Sequence, residues 1–347
     1  MSESGAGAAS PFIDLGVRVA ETLARLRLAG QVTVGCSARR AIWSRGKTTL
    51  YEYDPVGPPR PGSRPLLLCF ALVNRPYILD LQSDTSLVRR LLAAGRRVYL
   101  VEWGDPDEGD RLQDLNDYLE HGLDALDLMG VCQGGVFSLC YCALHPAKVA
   151  NLVTLTTAVD FQTPADLLSK WVRELDTQLL ERMGNVPGEM LNALFLSLLP
   201  FRLMQHKYVR LLTARADQRA VEDFVRMERW IFDSPPQAAT ALAQFVRWFY
   251  QENRLVRGTL ELGGRIVNLK EVRRPLLNLY ARADHIVPPA ACEVMGRHVG
   301  SRDYTGAAID TGHIGMYVSR KAREEIPQRI IGWLDAHSDG KGRRGRS

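Results

Sequence analysis

A chain of 347 residues that is 46% hydrophobic and 24% charged has the composition of a globular protein with a full apolar core. No apolar run approaches the ~18–20 residues needed to span a bilayer; the longest, Leu66 to Val73, has the length of a buried strand. The net charge of +5 lies largely in a tail where Lys341, Arg343, Arg344 and Arg346 outnumber Asp339, so no nucleic-acid-binding surface is expected.

Met1 to Ser10 has neither the basic nor the long apolar segment of a secretory leader, which makes the cytoplasm the expected compartment. There the cysteines (Cys36, Cys69, Cys132, Cys140, Cys142, Cys292) are expected as reduced thiols. None is spaced from another or from a histidine as metal ligands are, so no metal site is expected.

Phe12 to Ala29 reads as an amphipathic helix in a lead of residues 1–47. Thr48 to Tyr53 is β-rich, and the proline-rich Asp54 to Arg64 is a loop. Leu66 to Val73 reads as a strand buried on both faces. Ser86 to Ala94 is helical, Val98 to Trp103 a strand, Leu112 to Glu120 helix-like, and Ala125 to Gly130 a strand. Gly134 to Leu144 is helical and Asn151 to Thr157 another strand. This β–α alternation predicts a mostly parallel sheet over residues 48–162. From 163 to 268 the chain is expected to be a helical cap insertion, rich in Trp171, Trp230, Phe232, Trp248, Phe249 and Tyr250. The alternation returns over 269–336: a strand at Pro275–Ala281, a helix at Ala290–Val299, a strand at Gly306–Asp310, and a last helix at Pro327–Ala336 with the proline in its first turn. Residues 337–347 form the basic tail.

The chemistry concentrates in Gly130-Val131-Cys132-Gln133-Gly134-Gly135. A strand, then G-x-nucleophile-x-G, then a helix is a nucleophile elbow, where glycines are needed because side chains would strike neighbouring backbone. Cys132 is therefore the expected nucleophile, with a small buried cysteine at a tight turn as the other reading. The backbone N–H of Gln133 would face a developing oxyanion, with a second donor from Val73 or Asn74; an ordinary turn is the alternative there.

In this fold the order is nucleophile, acid, histidine. His313, in Thr311-Gly312-His313-Ile314-Gly315 after the last strand, is the expected base. Asp284, after the strand Leu276 to Ala281, is the expected acid, and Asp310 is expected to cap a turn. His285 is either a substrate-binding residue or a loop brace.

With these residues in place, the chain resembles the catalytic subunit of a poly(3-hydroxyalkanoate) synthase. The shared phrases run from Thr48 to Leu334: Leu72-Val73-Asn74-Arg75-Pro76-Tyr77, Trp103-Gly104-Asp105-Pro106-Asp107, Thr157-Ala158-Val159-Asp160-Phe161, Tyr250-Gln251-Glu252-Asn253, and the boxes around Asp284 and His313. With about 45 residues before Thr48, it is similar to the short class III kind, which works with a PhaE-type second subunit; class IV, with a PhaR-type partner, is the lesser match. The resemblance implies an α/β-hydrolase fold with a helical cap, and (R)-3-hydroxyacyl-CoA (chiefly 3-hydroxybutyryl-CoA) as substrate. It implies Cys132, Asp284 and His313 as triad and no cofactor beyond the CoA leaving group. His285 and Trp248 would touch substrate, and a homo-oligomer would work at the surface of polyester granules.

A thiol hydrolase of the same fold and a non-catalytic binding protein are the competing readings. The resemblance also leads one to expect a fuller helix between Trp103 and the nucleophile strand. Only Gly104 to Asp124 remain, a tight parallel crossover. Either the connection is naturally short, or a lost stretch would leave apolar surface bare beside that strand.

Overall fold

Short runs of aliphatic and β-branched residues assemble into one eight-stranded sheet in the order β1-β2-β4-β3-β5-β6-β9-β10. In the computed structural model, which describes residues 19, 21–26, 32–116, 126–164, 167–198, 208–209, 211 and 217–338, the strands are β1 (Arg39–Arg45), β2 (Thr48–Tyr53), β3 (Leu66–Cys69), β4 (Val98–Glu102), β5 (Leu126–Val131), β6 (Val149–Leu155), β9 (Leu276–Ala281) and β10 (Tyr304–Ile309), with a separate hairpin of β7 (Glu261–Leu262) and β8 (Arg265–Ile266). β1 and β2 run antiparallel to their neighbours; from β4 to β10 every pairing is parallel. The helices are α1 (Leu87–Ala93), α2 (Gln133–Leu144), α3 (Leu167–Arg173), α4 (Thr177–Arg182), α5 (Gly188–Leu198), α6 (Gln218–Phe232), α7 (Ala239–Phe245), α8 (Arg254–Arg257), α9 (Pro289–Glu293), α10 (Met295–His298), α11 (Gly315–Val318) and α12 (Arg320–Ala336).

Alternation along the strands divides the core into two layers. On β5, Leu126 and Leu128 pack with Val136, Phe137 and Leu139 of α2, while Met129 and Val131 face Leu91 of α1 and Ile330 of α12. Covered on both sides, β5 is buried along its whole length. The short connection before it therefore leaves no bare face on β5. Of the expected Leu112–Glu120 helix, Leu112 to Asp114 are turn and coil, and Leu115 and Asn116 begin a helix; residues 117–120, His121 and His206 lie outside the described residues. Residues 19 and 21–26 are helical, and the rest of the expected Phe12–Ala29 helix and the tail beyond Ser338 lie outside them as well.

Four expectations need correction. The sheet starts at Arg39, inside what reads as the lead: β1 is exposed throughout, and Arg39 and Arg40 pair with Glu102 and Glu52. A charged edge strand has no apolar alternation to reveal it. β3 ends at Cys69, although Phe70, Ala71 and Leu72 stay buried, because the chain leaves the ladder to cross the nucleophile turn. The last helix begins at Arg320, capped by Ser319 Oγ accepting from the Ala322 N–H, so Pro327 is interior. Burial of Ala322, Ile326, Ile330 and Leu334 along one stripe offsets the lost backbone bond. The insertion, finally, is not wholly helical: the Gly263-Gly264 hairpin interrupts it.

Its aromatics also divide. Trp171 and Phe232 are exposed, whereas Phe245, Phe249 and Tyr250 meet Phe161 through edge-to-face or tilted ring contacts in the core. Trp230 is buried and donates its indole N–H to the Arg75 carbonyl at 2.8 Å.

The end of β5 remote from Cys132 carries a buried charge cluster. Arg96 and Asp127 have side chains with 0% exposure and lie 3.6 Å apart. Arg96 also reaches Asp335 of α12 at 2.5 Å, and Asn151 donates to Asp127 at 2.7 Å. Burial raises the Asp127 pKa above its ordinary value. Replacing Arg96 by Met leaves the buried Asp127 without its ion-pair partner, while Asp335 keeps Arg60 at 2.7 Å; the expected loss is about 3–5 kcal/mol, read as a lower urea midpoint with an unchanged slope.

Candidate active site

The parallel strands β5, β9 and β10 deliver the chemistry to the same, C-terminal edge of the sheet. Cys132 sits between the last residue of β5 and the first of α2, with φ 54° and ψ −121°, a conformation rare for a residue with a side chain. Its N–H donates to the Leu155 carbonyl of β6 at 2.8 Å, and its carbonyl accepts from the Gly135 N–H at 3.0 Å. A Cβ on Gly134 would fall against the carbonyls of Cys69 and Phe70, and one on Gly130 against the Cα of Gly135. The turn is thus pressed against the exit of β3, as the motif predicts.

Asp284 lies in the loop after β9. Its Oδ1 accepts from the N–H groups of Ile286 and Val287, both at 2.9 Å, and its Oδ2 accepts from Nδ1 of His313 at 2.7 Å. The loops are zipped together where the Arg282 and Ala283 N–H groups donate to Ile309 and Thr311. With Nδ1 committed to the carboxylate, His313 presents Nε2 toward Cys132. Burial by itself would lower the His313 pKa; the Asp284 carboxylate, and then the adjacent Cys132 sulfur, outweigh it and carry the value up to about 10. An imidazolium in that position is the partner a sulfur nucleophile needs.

Sequence reasoning missed the supports behind His313. The Tyr317 ring meets the imidazole edge-to-face at 5.9 Å, and its hydroxyl is hydrogen-bonded to Thr156 Oγ1 at 2.8 Å. Thr156 follows Leu155, the acceptor of the Cys132 N–H, and itself has φ 49°. The spacing of four residues from His313 to Tyr317 is the one sequence signal that could have pointed there.

The candidate oxyanion donors occupy two facing segments. The Gln133 N–H opens α2, while Val73 and Asn74 follow β3. The backbone N–H groups of all three make no hydrogen bond among the described residues. The preceding N–H, of Leu72, donates to the Gln133 side-chain oxygen at 3.0 Å. Cys132, His313, Asp284 and these donors therefore belong to one locality.

The remaining predicted residues are placed differently. His285 is half-buried at the corner of the Asp284 turn. Trp248 packs on the α2 layer, with the Arg254 guanidinium 5.5 Å from its ring centre, and has its place among core contacts. Asp310 caps no turn; it is exposed and ion-paired with Lys321 at 2.9 Å. Cys69, Cys140, Cys142 and Cys292 are buried thiols with raised pKa values, as packing residues are.

The model of the α/β-hydrolase fold family matches residues 86–319. The chain is 46% identical over 339 residues to the poly(3-hydroxyalkanoate) polymerase subunit PhaC of Allochromatium vinosum, covering 93% of this chain and 96% of that one. It is 44% identical to the PhaC subunit of Thiocystis violacea, covering 95% and 97%. Among solved structures, a thermophilic esterase from Thermogutta terrifontis superposes with a TM-score of 0.50 at 18% identity, over 87% of this chain and all (100%) of that one, a likeness of fold.

The Asp284–His313 pair makes a pH test available. His313 holds its proton more tightly folded than unfolded, with a pKa raised from 6.5 to about 10. Its stabilising contribution is therefore complete below pH 6.5 and is lost as pH rises through about 10. The Tm gap between the unsubstituted chain and Asp284→Asn should be widest just below pH 6.5 and narrow steadily as pH rises toward about 10. A gap independent of pH across that window would contradict the charged pair.

Proposed function

From the premise that this chain belongs to the PhaC family of poly(3-hydroxyalkanoate) polymerases, acyltransferases of the α/β-hydrolase fold, we propose that it polymerises (R)-3-hydroxyacyl-CoA, chiefly 3-hydroxybutyryl-CoA, through a thioester on Cys132. The observation that carries the reading is the left-handed Cys132 at the end of β5, beside a His313 held by Asp284 at 2.7 Å.

His313 Nε2 takes the thiol proton of Cys132, and the sulfur attacks the thioester carbonyl carbon. The negative charge that gathers on the oxygen faces the N–H groups of Gln133 and Val73. Collapse of this adduct breaks the carbon–sulfur bond to CoA, whose thiolate leaves with the proton from His313. One thioester replaces another, so loading is close to thermoneutral. The 3-hydroxyl of a bound unit then attacks an acyl-Cys132 carbonyl, giving up its proton to His313; the ester forms as the carbon–sulfur bond to Cys132 breaks, and the freed sulfur takes the proton back from His313.

For Asp284 the geometry favours orientation of His313 over activation of the substrate hydroxyl. One oxygen accepts two backbone N–H groups, the other accepts the imidazole, and the side chain is 1% exposed. Little of the carboxylate is left to reach a hydroxyl.

Support for the acyl substrate, for a PhaE-type partner subunit, for a homo-oligomer and for work at granule surfaces comes from the family. No helix among the described residues is long and apolar enough to cross a membrane. No cofactor enters the proposed chemistry.

Incubation with 3-hydroxybutyryl-CoA, with and without a PhaE-type subunit, should release CoA thiol while insoluble polyester accumulates. Cys132→Ala should reduce release by at least ~10³-fold with the fold intact. Free hydroxyacid formed in step with thiol would indicate a hydrolase, and no release under either condition would sink the proposal.

A further inference from the structure

The segment after β3 is gripped from two sides. Toward the nucleophile, the Leu72 N–H donates to Gln133 Oε1 at 3.0 Å. Toward the insertion, the Leu72 carbonyl accepts from Gln237 Nε2 at 2.6 Å, within a side chain that is only 5% exposed. The carbonyl of Leu72 and the N–H of Val73 belong to one planar trans peptide, so they point in opposite directions. Whatever fixes the first aims the second. The Val73 N–H is the donor that the proposed chemistry turns toward the thioester oxygen.

Gln237 is itself anchored in the insertion. Its N–H donates to the Val186 carbonyl at 2.9 Å, and its carbonyl accepts from the Val186 N–H at 2.8 Å. The same segment grips the next residue but one: Asn74, held at φ 59°, donates its amide to Ser234 Oγ at 2.9 Å, and Ser234 donates to Asn192 of α5 at 2.5 Å. A buried amide aimed at one particular carbonyl is more than general packing requires, since apolar side chains would fill the space without directing a peptide.

We propose that Gln237 is a positioning residue: it sets the Leu72–Val73 peptide from the insertion, so that acyl transfer at Cys132 depends on where the segment around residues 230–237 sits. The inference rests on the acyl-transfer reading of Cys132, and two readouts on the same variant separate the two ideas. Thioester attack builds an oxyanion. Alkylation of the Cys132 sulfur by iodoacetamide forms a carbon–sulfur bond and expels iodide without one, so it does not use the Val73 N–H.

Gln237→Met preserves length and removes the donor. It is expected to slow CoA release from 3-hydroxybutyryl-CoA by at least about tenfold, below the ~10²–10³ of deleting a donor outright. KM and the alkylation rate should stay within about twofold. Gln133→Met frees the same segment from the nucleophile side and should give the same split. It decides the matter if Gln237→Met fails to melt cooperatively. Unchanged release in a folded variant, or release and alkylation falling together, overturns the inference alone. An unsubstituted chain that releases no thiol with or without the partner subunit sinks the polymerase reading and this inference with it.

Discussion

Cys132 has to occupy a backbone conformation that its side chain disfavours, and much of the surrounding structure makes that tolerable. A strain of about 1–3 kcal/mol at one residue persists only where neighbouring contacts over-determine it. Here they do so from three directions. The Cys132 N–H is tied to Leu155 on the adjacent strand, and its carbonyl is tied to Gly135 one turn ahead. The missing side chain of Gly134 lets the exit of β3 lie directly on the turn. β5, which delivers the residue, is buried from end to end and flanked by parallel partners on both sides. The turn cannot relax without lifting a central strand out of the sheet.

The same geometry supplies the chemistry. Parallel strands end at one edge, so the loops after β5, β9 and β10 converge without help from the insertion. What the loops add is electrostatic. A buried histidine would ordinarily lose its proton to desolvation, yet the carboxylate of Asp284 reverses the balance. That carboxylate is in turn fixed by backbone donors rather than by a cation, which would compete with the imidazole. Tyr317 and Thr156 close the back of the site with an apolar ring and a single hydrogen bond, fixing the ring plane without adding a charge.

The placing of Cys132, Asp284 and His313 at one sheet edge and the parallel core were legible in the sequence because both rest on local rules. Glycine spacing around Cys132 reports a steric clash, and the order Cys132, Asp284, His313 follows strand order. Other features have no local signature. β1 is an exposed, arginine-rich edge strand whose arginines pair with Glu52 of β2 and, 63 positions along the chain, Glu102 of β4. Pro327 looks like a helix start, and only the stripe from Ala322 to Leu334 shows why the helix runs through it. Trp248 packs against the core layer that contains α2, a contact between segments far apart in the chain. Gln237 is one polar residue among many in the sequence. Its importance lies in one carbonyl, 165 positions away, which spacing alone does not reveal.

That long contact bears on a difficulty every polymerising acyl-enzyme faces. A thioester exposed to water is open to hydrolysis, and chain growth needs attack by hydroxyl over water at each step. A cover that merely sat above the site would leave a reactive thioester able to form while the cover was displaced. A cover that also orients an oxyanion donor removes that possibility, because displacement lowers the rate of forming the thioester and of cleaving it by the same means. On the proposed reading, water that enters with the segment around Gln237 out of place would meet a misaimed Val73 N–H, just as the substrate would. On that reading, protection and activation would be two consequences of one hydrogen-bonded peptide.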